Sequence, residues 1–101
     1  MFALVVRFEL KDEAAAVGFD GLVAETAVGI AGEAGTLVYA VHGVVDAPLA
    51  RIFYEVYRDR SAFEVHEAQE HTRRFLQERE QYLAGVRVEF LTPASGKGLP
   101  S

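Results

Sequence analysis

The chain predicts an α+β fold of the ferredoxin-like kind, an antiparallel sheet in βαββαβ order with two helices on one face. Three observations predict it. Apolar residues alternate with period two near residues 2–9 and 86–91, and residues 36–45 and 50–58 are β-branched, aromatic and apolar runs, the marks of strands. Two other stretches, from residue 12 to 30 and from 61 to about 83, repeat apolar residues at three- and four-residue spacing, the mark of an amphipathic helix. The helical stretches separate the first strand from the second and the third from the fourth, while a turn alone separates the second from the third. That order is the split βαβ arrangement.

Each element has its own signal. In the first strand Phe2, Leu4, Val6 and Phe8 alternate with Ala3, Val5, Arg7 and Glu9. Asp12 is placed to cap the first helix, whose face is Ala16, Phe19, Val23, Ala27 and Ile30. Gly18, Gly21 and Gly29 weaken that helix by about 1 kcal/mol each relative to Ala. Gly32 and Gly35 end it. Thr36 to Val45 is β-branched and apolar. Asp46-Ala47-Pro48 has turn chemistry, and Ala50 to Arg58 completes a hairpin. Ser61-x-x-Glu64 matches a capping box. The second helix then carries Ala68, Thr72, Phe75, Leu76, Arg79, Tyr82 and Leu83. This stripe does not extend back to Phe63 and His66, so a break is expected near Gln69. Gly85 stops the helix, and Val86, Val88 and Phe90 form the last strand. The domain is read as residues 1–91, with 92–101 a Gly/Pro/Ser-rich tail expected to lie along its own subunit or the partner, because Leu91 and Leu99 need cover.

Composition excludes several classes. Ten basic against fifteen acidic residues give a formal charge of −5, the wrong sign for a nucleic-acid binder. Apolar runs are far too short for a membrane span. The N-terminus starts directly with a strand-like run, so no signal peptide is expected and a cytoplasmic setting is the default. No cysteine is present, which removes disulfides and thiolate chemistry.

The strands are apolar on both parities. Ala3 and Val5 are apolar opposite Phe2 and Leu4, and Phe53 and Tyr57 sit opposite Ile52, Tyr54 and Val56. Two helices cover one face, so the other is expected to meet a second copy in a homodimer, with Phe53, Tyr57, Ala3 and Val5 at the interface.

GEAGTLVYAV at 32–41 and YEVYRDRSAFEVHEAQEHTRRF at 54–75, in a βαββαβ chain, resemble the antibiotic biosynthesis monooxygenase-type domains. Glu33, Gly35, Glu55, Ala62 and His66 fill the places of the family pattern, and Ala34 stands where Pro is common. The resemblance covers about ninety residues. It implies a dimeric α+β barrel and a cofactor-independent oxygenase for a small aromatic or quinol-like substrate. Such a substrate supplies its own electrons, so no flavin or metal is implied. Members of this type use Trp, Asn, Tyr and Arg in the cavity, and this chain has neither Trp nor Asn. Two alternatives stay open: a non-catalytic small-molecule-binding or stress-related dimer, and an isomerase using His66 as its base.

The residues that could carry chemistry are few. His66, one turn inside the second helix, is suited to proton transfer near neutral pH. Glu55 in the third strand is a candidate base or an orienter of His66. Parity alternatively places it on the outer face with Arg7 and Arg87, as an interface salt bridge. Tyr39, Tyr54 and Phe75 are the candidate substrate-lining residues. His66-Glu67-Ala68-Gln69-Glu70-His71 has one residue too many for the zinc motif. In an unbroken helix His66 and His71 stand about 140° apart, so no metal site is expected and His71 is expected to be dispensable.

Overall fold

The structure is a computed structural model that describes residues 1–98. Leu99, expected to be covered, lies outside the described residues. Strand β1 (Phe2–Leu10) leads to α1 (Glu13–Ile30), β2 (Thr36–Val44) and β3 (Ala47–Tyr57). Then come α2 (Arg60–Ala68), α3 (Glu70–Glu78), a short 3-10 helix (Arg79–Tyr82) and β4 (Leu83–Leu91). The four strands form one antiparallel sheet in the order β2-β3-β1-β4. This is the ferredoxin-like βαββαβ fold, its second helix split in two. Residues 92–98 carry neither helix nor strand. No helix among the described residues is long and apolar enough to cross a membrane.

Helix starts follow local chemistry. The Asp12 carboxylate accepts the Ala15 N–H at 2.8 Å, and Asp59 accepts the Ala62 N–H at 2.8 Å. Asp59, not Ser61, therefore caps α2. Gln69 is extended, with φ −65° and ψ 145°. That one residue re-phases the helix, so Ala62 and His66 of α2 and Thr72 and Phe75 of α3 all turn inward and are buried. The α-helix stops at Glu78 and Leu83 already pairs with Leu10, so the last strand begins three residues before Val86. The hairpin turn is Val45–Asp46, with Asp46 at φ 63°; Ala47 and Pro48 belong to β3. Pro48 lies beyond the paired length of β1, where its missing N–H costs nothing.

Register decides which side of the sheet is which. Phe2, Leu4 and Val6 oppose Tyr57, Glu55 and Phe53, and directly opposed residues project to the same side. Phe53 and Tyr57 therefore face the helices and are almost wholly buried, at 1% and 0% exposure; they are not on the helix-free face. The outer face carries Ala3, Val5, Ile52, Tyr54 and Val56, with Arg7 opposite Arg87. The core is built on four rings, Phe8, Phe19, Phe53 and Phe75, with centroids 4.7–6.3 Å apart. On α1 the buried face includes Leu22 and Thr26, whereas Ala27 is exposed.

The glycines of α1 have packing reasons. A Cβ at Gly29 would lie 2.3 Å from His71 Nδ1, and one at Gly18 would lie 2.5 Å from Tyr82. Both rings rest on bare helix backbone.

Candidate active site between sheet and helices

Four segments bring the polar cluster together. Glu55 comes from β3, where Leu4 and Tyr39 flank it on the neighbouring strands. His66 comes from α2, Glu33 from the loop after α1, and His71 from the first turn of α3. Glu55 and His66 are each 6% exposed. Burial of two titratable groups is costly unless each is paired, and these are.

The His66 Nδ1 lies 2.7 Å from Glu33 Oε1, and Glu33 Oε2 takes a hydrogen bond from His71 Nε2. Thr36 donates its hydroxyl to Glu33 Oε1 at 2.7 Å. Burial pushes the Glu33 carboxyl up, but the bonds from His71, Thr36 and His66 together outweigh it and hold the group below its ordinary range. An ionised carboxylate only accepts. His66 therefore carries a proton on Nδ1, and in the neutral ring the lone pair sits on Nε2. That Nε2 faces Glu55, with Oε1 at 3.9 Å.

Glu55 behaves in the opposite sense. Burial raises its pKa, against the Tyr57 hydrogen bond and the charge of His66. The Tyr57 hydroxyl donates to Glu55 Oε1 at 2.5 Å. Burial and the nearby Glu55 also raise the pKa of Tyr57 and of Tyr39, so both stay neutral donors. One carboxylate held ionised, one pushed toward its neutral form, and a histidine between them is an arrangement suited to proton transfer.

Beside His66 and Glu55 lies a cavity of about 150 Å³ whose wall includes Tyr39, Phe53, Phe63 and Phe75. A space of that size takes roughly one aromatic ring. Its rim on β4 is formed by Val88 and Phe90, 43% and 60% exposed. The cavity is thus mostly apolar with a few convergent polar groups, the usual make-up of a ligand site.

Of the residues singled out in the sequence, His66, Glu55, Tyr39 and Phe75 all meet this cavity. Tyr54 does not. It pairs with Val5 and Ala40 and projects from the helix-free face. Glu55 is not an outer-face salt bridge, because the register turns it inward. His71 is not peripheral: the break at Gln69 rotates α3 until both histidines reach Glu33. Among the described residues no three His, Asp or Glu side chains are arranged to hold a metal ion. Two further cavity residues, Thr72 and Arg79, stood in the helical stripe of the sequence without being singled out there.

A family model described as antibiotic biosynthesis monooxygenase matches residues 1–78. No curated protein matches the sequence. Solved structures share the fold at low identity. One described as an antibiotic biosynthesis monooxygenase has a TM-score of 0.84 at 22% identity, covering 94% of this chain and 100% of that one. A Mycobacterium tuberculosis protein has a TM-score of 0.86 at 22% identity, covering 94% and 96%. A conserved protein of Methanosarcina mazei has a TM-score of 0.83 at 15% identity, covering 89% of each.

Proposed function

This chain belongs to the antibiotic biosynthesis monooxygenase family, and we propose that it oxygenates a small phenolic or quinol-type molecule without flavin or metal, with His66 as the base. The observation that carries this reading is the 2.7 Å contact between His66 Nδ1 and Glu33 Oε1, which leaves His66 Nε2 turned toward Glu55 and the cavity. A phenol resembles tyrosine in acidity, with a pKa near about 10, and reacts with oxygen chiefly as its anion. His66 Nε2 takes the phenol proton, and Glu33 balances the imidazolium that forms.

The balance is closed by the substrate alone. A phenol with one ring C–H and one O₂ becomes a quinone and one water. One oxygen atom enters the ring as the new carbonyl, and the other leaves as water. The four electrons that O₂ requires come from the ring. Glu55, with its raised pKa, supplies a proton to the departing oxygen. The wall of Phe53, Phe63 and Phe75 excludes water from the anion. The functional unit is a homodimer packed through the helix-free faces, where Val5, Ile52 and Tyr54 are only half-buried in one copy.

Oxygen uptake in the presence of a panel of single-ring phenols, catechols and quinols tests the reading. His66→Gln is expected to lower turnover by roughly 10²–10⁴-fold, the usual contribution of a positioned base. Full turnover in His66→Gln would show His66 to be structural. Tight binding without oxygen uptake across the panel would make the protein a binding module.

A further inference from the structure

The cavity holds two polar groups that proton transfer at His66 does not use. Thr72, on α3, is 3% exposed, and its Oγ1 has no hydrogen-bond partner among the described residues. Arg79 stands seven residues later, two helical turns on, and so presents the same side with Phe75 between them. Its Nε is also buried and without a partner among the described residues. Both side chains line the cavity, and Arg79 is the one Lys or Arg among the described residues that do so.

The surroundings of Arg79 leave its charge poorly matched. The guanidinium lies over the rings of Phe8 and Phe75, with centroids 5.5 and 5.8 Å away. Such contacts attract a cation but offer no acceptor for an N–H. Glu80 approaches Nε only to 3.9 Å, too far for a hydrogen bond. Burial pulls the Arg79 pKa down, against the attraction of Glu80, Glu67 and Glu55. A half-buried cation whose Nε–H is buried without an acceptor is costly unless a partner arrives. Neither Glu55 nor the exposed Glu67 is bonded to its Nε, which has no partner among the described residues.

We propose that Thr72 and Arg79 form an anion subsite, and that the ligand is a single aromatic ring carrying a carboxylate as well as a phenolic hydroxyl. The carboxylate takes the Arg79 Nε–H and the Thr72 hydroxyl, while the ring hydroxyl is presented to His66. The cavity volume of about 150 Å³ limits the ligand to one ring, and the cation selects the substituent. This deepens the oxygenase reading of the same cavity and rests on it for the role of the hydroxyl. The subsite itself is a statement about binding and is tested without turnover.

The test compares 3,4-dihydroxybenzoate with catechol, which differ only in the carboxylate. Binding to the full chain is measured anaerobically by calorimetry and by amide shifts in ¹⁵N-labelled protein. The carboxylate form should bind roughly 10- to 100-fold more tightly, the range of a charge-assisted hydrogen bond, and should shift the Thr72 amide. Arg79→Met should bring the ratio of the two affinities toward one. Thr72→Val, nearly isosteric, should lower the ratio by a smaller factor. Arg79→Lys should keep part of the preference, since it keeps charge but loses the planar fork. Equal affinity of the two compounds for the wild type, or no binding of either at millimolar concentration, overturns the proposal. So does a ratio unchanged in folded Arg79→Met or Thr72→Val. A carboxylate preference without oxygen uptake would sink the oxygenase reading and leave the subsite standing.

Discussion

Glu33 and His66, far apart in sequence, are joined by a 2.7 Å bond from Nδ1 to Oε1. That bond selects the histidine tautomer, and the tautomer decides which nitrogen can act as a base. Glu33→Gln keeps the shape but can turn either its oxygen or its amine toward the ring. The expected result is a fall in turnover of about 10²-fold or more, since a base in the wrong tautomer is no base. Side-chain ¹⁵N spectra should show His66 moving from one Nδ1–H form to a mixture. An unchanged spectrum would separate His66 from Glu33.

His71 shares that carboxylate, so His71→Gln should be felt at His66. Its loss removes one of three donors to Glu33, and a hydrogen bond to a buried charged group contributes about 1.5–3 kcal/mol. A stability loss of that order by urea denaturation is expected, with a change in the side-chain ¹⁵N shifts of His66. No change in either would show the contact between His71 and Glu33 to be inconsequential in solution.

The two buried carboxylates should give opposite pH dependences of stability. The folded pKa of Glu33 is lowered from an ordinary 4.5. Its stabilisation is present above that value and is lost as pH falls through the lower folded value. The folded pKa of Glu55 is raised from 4.5. Its stabilisation is present below 4.5 and disappears as pH rises through the raised value. Glu33→Gln should therefore flatten the acid side of a stability–pH curve. Glu55→Gln should remove part of the decline above pH 4.5 and raise the neutral-pH stability relative to wild type. A Glu55→Gln curve parallel to wild type would contradict the raised pKa.

Two glycines in one helix make a paired test. Gly21 has nothing within 4 Å of a built Cβ, whereas at Gly29 the nearest atom is His71 Nδ1 at 2.3 Å. Gly21→Ala should stabilise by up to about 1 kcal/mol through helix propensity. Gly29→Ala should destabilise by roughly 1–3 kcal/mol, because the His71 ring must move away from the helix and from Glu33. Equal effects at the two positions would mean that the His71 ring does not rest on α1.

The same glycines mark the boundary of what the sequence made legible. Alternation in Phe2–Phe8, the Asp12 cap and the phase break at Gln69 are local signals, and the fold follows from them. His66 and Glu55 were readable as residue types suited to a cavity. The side of the sheet was not, because Phe53, Tyr57, Tyr54 and Val56 are apolar or aromatic on both parities. Only the pairing of Leu4 with Glu55 settles it. The role of Glu33 was hidden for another reason. Its bonds to His66 and His71 join a loop to two helices, and no spacing within one element encodes them. Gly29, read as a defect of α1, was the one local trace of that contact.

Assembly gives the last prediction. The helix-free face presents Val5, Ala40, Ile52 and Tyr54, half-buried in a single copy, flanked by the ion pairs Arg7–Glu9 and Arg87–Glu89, each at 2.6 Å. An apolar centre with a charged rim is the pattern of a protein interface. Tyr54 projects from this face, away from the cavity, so its substitution should act on assembly before it acts on ligand binding. Sedimentation at micromolar concentration should show a dimer for the wild type. Tyr54→Glu places two like charges near one another across the interface and should give a folded monomer. Phe75→Ala, by contrast, leaves that face alone and removes a ring from the core, at a stability cost of about 3–5 kcal/mol. A wild-type monomer at micromolar concentration, or a dimer undisturbed by Tyr54→Glu, would mean that this face is not where two copies meet.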